Sequence, residues 1–215
     1  MEHRRAVQLH QLEFRRAARD IVRNNHGTLQ SGVTFAPGVV EQAFNFGSTN
    51  NGIKIPASPS LNVGAGNGLT IEAWINPTDA SSMQTLVEWN NTTEAFGTMF
   101  WISVPTPEAG VGTGPGSLFA NLVDTAGGSS RGNYHVISSA PGIIKANTFQ
   151  HVAVTYDKTT GDARLYLNGA VVAAQNLGIF TPQTTYDLFL GKRNAFRDSM
   201  EISYPLRHGT LPTLS

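Results

Sequence analysis

The segment "HVAVTYDKTTGDARLYLNG", residues 151–169, constrains the fold more than any other stretch of the chain. Val152, Val154 and Tyr156 alternate with His151, Thr155 and Asp157, and after "DKTTGD" Leu165 and Leu167 alternate with Arg164 and Tyr166. A two-residue period places the apolar set on one side of an extended strand and the polar set on the other. Asn168-Gly169 then supplies the two residues that tolerate positive φ in a tight type I′ turn. A His, two Asp, two Tyr, a Lys and an Arg within nineteen positions suggest a catalytic cluster. The period accounts for them more simply, as the outward half of a β-hairpin and the chemistry of its turns.

The same grammar runs from Gly27 onward. Strands are predicted near 28–35, 40–46, 52–56, 68–76, 84–89, 98–104, 117–124, 134–139, 149–157, 162–167, 170–175 and 187–191. In "LTIEAWINP" Ile71, Ala73 and Ile75 share one face while Glu72, Trp74 and Asn76 share the other, and Trp74 is expected in the core. The stretches 62–68, 104–117 and 125–133 read as Gly/Pro/Ser loops, in keeping with 22 Gly in the chain and only 14% charged residues. With neither an internal repeat nor intervening helices, this pattern predicts an all-β domain of two antiparallel sheets packed face to face.

Fifteen basic and fifteen acidic side chains cancel, so no bias toward nucleic acid or an anionic membrane is expected. The balance is uneven: residues 1–23 hold six Arg and three acids, and 4–23 is the one helix candidate, a basic amphipathic helix or an unstructured extension. The N-terminus has no apolar core of a secretory signal, and no apolar run reaches the roughly 20 residues that span a bilayer. With zero Cys, thiol catalysis, disulfides and thiolate metal sites are excluded.

Chemistry-bearing motifs are sparse. "GVGTGPGS" (110–117) lacks the Gly-Lys-Ser/Thr ending of a phosphate loop and the third glycine of G-x-G-x-x-G, and reads as a rim loop. Glycoside hydrolysis needs two carboxylates about 5–10 Å apart, yet no acid-x-acid occurs along any strand. The acids weighed for that alternative are Glu88, Glu94, Glu108 and Asp124. His135 and His151 are each expected to be structural, and Asn90 and Asn91 begin overlapping N-x-T sequons of consequence only in a eukaryotic secretory setting.

"GTLQSGVTFAPGVVEQAFNF", "IKIPASPSLNV", "LTIEAWINP", "HVAVTYDKTTGDARLYLNGAVV" and "YDLFLGKR" occur in this order, and together they resemble the laminin G-like domains with the concanavalin A-like jelly-roll fold, over roughly residues 19–193. The resemblance implies a jelly roll of two curved antiparallel sheets at 19–197, flanked by a basic extension at 1–18 and an irregular tail at 198–215 that Pro205 keeps from closing the sheet. It implies a non-catalytic module that binds a glycan or a protein, monomeric within a larger bacterial extracellular or cell-envelope protein, without nucleic-acid binding or membrane insertion. A glycoside hydrolase or lyase on the same fold, and a purely structural spacer, are the alternatives.

In relatives a structural Ca²⁺ draws acids from two regions. Here Gly47, Asn50 and Asn51 stand where the first set is expected and Met200 where the second is, so the calcium site is expected to be lost or weak and no cofactor is implied. Sugar binding needs aromatic platforms beside planar amide or guanidinium donors. The candidates are Trp89, Asn90, Trp101, Asn121, Arg131 and Tyr134, with core packing left open for both tryptophans.

Overall fold

The computed structural model describes residues 18–20, 24–30, 32–47, 51–91, 96–105, 113–126 and 133–192. Among them are thirteen strands: β1 (Thr28–Gln30), β2 (Thr34–Pro37), β3 (Gln42–Asn45), β4 (Gly52–Ile55), β5 (Gly68–Ile75), β6 (Gln84–Asn90), β7 (Phe96–Ile102), β8 (Leu118–Asn121), β9 (Val136–Ser138), β10 (Gln150–Asp157), β11 (Asp162–Leu167), β12 (Ala170–Asn176) and β13 (Asp187–Leu190). Each predicted strand has its counterpart within a few residues, except that 28–35 divides into β1 and β2 at Gly32, whose φ of +76° breaks an extended run. Of the 4–23 helix candidate only 18–20 are described, and these are not helical; the rest, with the 198–215 tail, lies outside the described residues.

The strands form a seven-stranded antiparallel sheet in the order β1-β4-β13-β6-β7-β8-β9, a four-stranded one in the order β12-β11-β10-β5, and a separate β2–β3 hairpin. The chain leaves the larger sheet for β5, returns for β6 to β9, crosses back for β10 to β12, and places its last described strand, β13, in the middle of the larger sheet. That exchange between two sheets is what makes the architecture a sandwich rather than a meander.

One apolar cluster joins the sheets. Leu69, Ile71, Val152, Val154 and Leu165 of the smaller sheet meet Val87, Trp89, Phe100, Ile102, Leu118 and Leu188 of the larger. Full burial of each such side chain contributes roughly 1.5–3 kcal/mol. Tyr156 enters the core with its hydroxyl satisfied: it donates to the Gly178 carbonyl (2.8 Å) and accepts from the Phe180 N–H (3.1 Å). Burial holds this phenol above its ordinary range.

The hairpin at 151–169 is built as its sequence predicts. β10 and β11 pair from Val152↔Leu167 to Asp157↔Asp162. At the first turn the Asp157 carboxylate accepts from the Thr159 N–H (2.8 Å) and hydroxyl (2.6 Å). Gly161 at φ +81° completes it, where a Cβ would come 2.8 Å from Gly178 backbone. At the second, Asn168 (φ +50°) and Gly169 (φ +81°) take the left-handed backbone, and the Asn168 Oδ1 accepts from the His151 N–H (2.9 Å).

Candidate functional site

The two sheets differ in what their outer faces carry. Along β7 and β8 the residues between the core positions are also apolar: Met99, Trp101, Phe119 and Val123 form a second cluster, with Phe96, Val104, Tyr134 and Val136 against it. Cross-strand register extends this face into a row, Lys54–Phe189–Glu88–Met99–Asn121–Val136. Glu88, Phe189 and Asn121 in that row are buried. A buried polar group needs compensation, and one oxygen of Glu88, Oε1, accepts from the Asn90 side-chain amide at 3.2 Å.

The sequence candidates divide over this frame. Trp89 points the other way, into the sheet-to-sheet core, 3% exposed, and is a packing residue; its indole N–H has no hydrogen-bond partner. Asn90, Trp101 and Asn121 share the outer face of the larger sheet, with Asn121 opposite Met99, Asn90 opposite Phe96 at the far end of β7 from Trp101, and Tyr134 half-buried against the Trp101 cluster. None of the first three is open: Asn90 is fully buried, and Trp101 and Asn121 are each 4% exposed. Trp101 packs on Phe119 with ring centroids 6.5 Å apart. The Asn121 Oδ1 is buried without a hydrogen-bond partner. Arg131 lies outside the described residues.

Trp74 is where sequence reasoning needs correcting. It lies 51% exposed on the outer face of the smaller sheet instead of in the core. The period placed it opposite Ile71, Ala73 and Ile75, which face the core, and among the described residues no second layer covers that side of β5.

Register also brings together charges that sequence spacing could not. Asp187 pairs with Asn90 across β13 and β6, placing it diagonal to Glu88 on the same face; such neighbours lie roughly 7–8 Å apart. Asp187 bonds Lys54 Nζ (2.7 Å) and the Ala57 N–H (2.8 Å). Desolvation pushes its pKa up, but the Lys54 hydrogen bond, the Ala57 N–H and the lysine charge together outweigh it and hold it below the ordinary range. Lys54 and Asp187 lie in the separate stretches "IKIPASPSLNV" and "YDLFLGKR", and only strand order makes them neighbours.

The remaining described aspartates are also engaged. Asp20 accepts from Asn25, Asp79 from Ser81 and Ser82, Asp124 from the Ala126 N–H, and Asp162 from the Asn176 amide. Hydrogen bonds from Ser81 and Ser82 lower the pKa of Asp79 to about 2. Glu94 and Glu108 lie outside the described residues. The described part of the glycine loop spends its N–H groups internally: Gly114 donates to the Val104 carbonyl (2.9 Å) and Gly116 to the Ser103 hydroxyl (3.0 Å). His135 is structural, stacked on Phe180 at 3.7 Å with Nδ1 3.0 Å from the Leu177 carbonyl.

With this geometry in hand, residues 46–201 match the family described as the concanavalin A-like lectin/glucanases superfamily. The chain belongs to that superfamily. As a lectin/glucanase-type sandwich it is similar to domain 4 of AbnA, a GH43 extracellular arabinanase from Geobacillus stearothermophilus solved with arabinotriose: 17% identity, TM-score 0.56, covering 82% of this chain and 79% of that one. It is also similar to the receptor-binding domain of a botulinum neurotoxin C/D mosaic serotype, at 14% identity and TM-score 0.57, covering 78% of this chain but 38% of that one. At such identities the likeness is one of fold. No curated protein matches the chain.

The superfamily's calcium can be tested against the donors present. Asn50 and Met200 lie outside the described residues. Gly47 takes φ +51° and donates its N–H to the Asn45 side chain (3.1 Å), and the Asn51 amide lies 3.4 Å from where a Gly47 Cβ would project. Neutral amides are a poor match to the carboxylate-rich shell of six to eight oxygens that holds Ca²⁺. No group of three or more His, Cys, Asp or Glu suited to a metal occurs among the described residues. No helix of the described residues is long and apolar enough to cross a membrane.

Proposed function

We propose that this lectin/glucanase-type sandwich is a non-catalytic binding module for a glycan or a protein, carried by an extracellular or cell-surface protein. The observation that carries the reading is the state of its aspartates: all six described ones are engaged by turns, amides or a lysine. A glycosidase needs one carboxyl free to give a proton and a second free to attack or to activate water. Held below its ordinary range, Asp187 is a poor acid. Asn90, Trp101, Asn121 and Tyr134 form a polar and aromatic layer on the outer face of the larger sheet, and this reading does not seat the ligand on it, because Asn90 is fully buried and Trp101 and Asn121 are each 4% exposed.

The second reading, a glycoside hydrolase, is favoured by one observation, the diagonal placement of Glu88 and Asp187 on one face. Calorimetric titration with arabinotriose and cellohexaose, run beside an assay for new reducing ends, separates the two. Binding in the roughly millimolar to micromolar range, about −4 to −8 kcal/mol, with no new reducing ends supports the module. Product formation that disappears in Glu88→Gln overturns it in favour of the enzyme. Absence of both removes the glycan reading and leaves a protein-binding module or a spacer.

A further inference from the structure

Of the three tryptophans only Trp74 meets solvent, 51% exposed against 3% for Trp89 and 4% for Trp101. It stands on β5 opposite His151 of β10, the two rings 5.3 Å apart in an edge-on arrangement. The His151 Nε2 lies 3.5 Å from a carboxylate oxygen of Glu72, which stands two residues before Trp74 on the same face. The next row across the sheet reads Glu72–Ala153–Tyr166–Val171, so the small Ala153 stands between a carboxylate and a phenol. Strand spacing of ~4.8 Å and a rise of ~3.3 Å per residue set the Cα atoms of Trp74 and Tyr166 roughly 12 Å apart, the span of a short oligosaccharide.

We propose that this outer face of the four-stranded sheet, Trp74 with Glu72, His151 and Tyr166, is a carbohydrate-binding platform. The inference rests on reading the chain as a binding module and names the surface and the ligand class. A sugar ring offers an apolar C–H face ringed by hydroxyls. It is matched by an open indole face flanked by a carboxylate that accepts hydrogen bonds and by imidazole and phenol groups that donate or accept. A protein partner is a worse fit. A stable interface needs about 1,000 Å² with an apolar centre, whereas the exposed Trp74 and Val171 are separated by Glu72, His151 and Tyr166. The platform is also preorganised. β10 is paired with β5 over its whole length and with β11 from Val152 to Asp157, and the Asn168 side chain and N–H tie the adjoining turn to His151, so little ordering accompanies binding.

Because Trp89 and Trp101 are buried, iodide quenching of intrinsic fluorescence reports chiefly on Trp74, and the test uses the full chain. Arabinotriose and cellohexaose are titrated calorimetrically and as protectors against iodide, in the native protein, Trp74→Ala, Tyr166→Ala and Asn121→Ala. The expected result is protection by at least one sugar, a tenfold or greater loss of affinity in Trp74→Ala, a smaller loss in Tyr166→Ala, and none in Asn121→Ala. Trp74→Phe, which keeps an aromatic face, retains part of the affinity and controls for folding. Sugar binding that survives Trp74→Ala and is lost in Asn121→Ala overturns the platform while leaving the binding module standing. Absence of sugar binding in the native protein overturns the platform and the glycan reading together.

Discussion

The outer faces of the two sheets are opposites. On the larger sheet, β7 and β8 bury residues of both parities, Phe100 and Ile102 toward the partner sheet and Met99, Trp101 and Phe119 away from it. On the smaller sheet, β5 alternates without exception from Gly68 to Glu72, Leu69 and Ile71 buried and Thr70 and Glu72 exposed, and Trp74 sits on the exposed side. A strand covered on both faces has a continuous apolar run; a strand covered on one face alternates. The difference teaches that a tryptophan's role in this chain follows from its strand's covering and not from its chemistry. Trp101 packs as a second core, while Trp74 is presented.

The largest test of that contrast is a pair of truncations followed by urea denaturation. Trp101→Ala is expected to destabilise by about 3–5 kcal/mol, as for a large aromatic removed from a packed cluster. Trp74→Ala is expected to fall within about 1 kcal/mol of the native protein, as for a surface change. Equal costs at the two positions would erase the distinction between the faces.

Much of this was legible beforehand. The runs "TMFWIS" and "LTIEAWI" already differ in period, and the turns at Asp157–Gly161 and Asn168-Gly169 formed where their residue types require. Local patterning survives folding because side-chain direction and turn geometry are set within a few residues. Trp74 was misplaced because the period assigns a residue to a face without saying whether that face is covered. Asp187 and Lys54 were missed because their 2.7 Å contact depends on β13 inserting between β4 and β6, a long-range choice with no local signature. Ser103 is a similar case. It takes φ +58° without being Gly, Asn or Asp, held by donating to the Ala80 carbonyl (2.6 Å) and accepting from the Gly116 N–H, partners distant in sequence.

A smaller effect sharpens the view of the inner face of the smaller sheet. Tyr156→Phe keeps the ring and removes a hydroxyl that serves both the Gly178 carbonyl and the Phe180 N–H. Stranding those buried groups is expected to cost about 1–3 kcal/mol, read as a lower urea midpoint with an unchanged slope. No loss would mean that the loop closes on the core by apolar contact alone, and that the face toward the core has no polar anchor. At the sheet's edge, Asn168→Ala is expected to cost about 1–2 kcal/mol, from the left-handed backbone and the lost bond to His151. Asn168→Gly, which relieves only the backbone, should cost less than half of that. Equal losses would assign the whole effect to the side-chain bond.

The smallest expected effect concerns acid, and it compares the turns of the two regions. Hydrogen bonds from Thr159 hold Asp157, between β10 and β11, below its ordinary range, and those from Ser81 and Ser82 hold Asp79, leading into β6, at about 2. Both carboxylates therefore bind protons more weakly folded than unfolded. The sign follows: each contributes stability that is fully present above the unfolded value near 3.9 and is lost as pH falls toward the folded one. The melting temperature should be flat in this respect above about pH 5 and decline between about pH 4 and pH 2. Asp79→Asn should make that decline shallower, because its side chain still caps Ser81 but no longer titrates, and Asp157→Asn should do so by less, its turn being held also by the Gly161 N–H on the Asp157 carbonyl at 2.8 Å. The reverse ranking would place the more acid-sensitive turn in the smaller sheet, at the opposite end of β10 from His151 and Trp74.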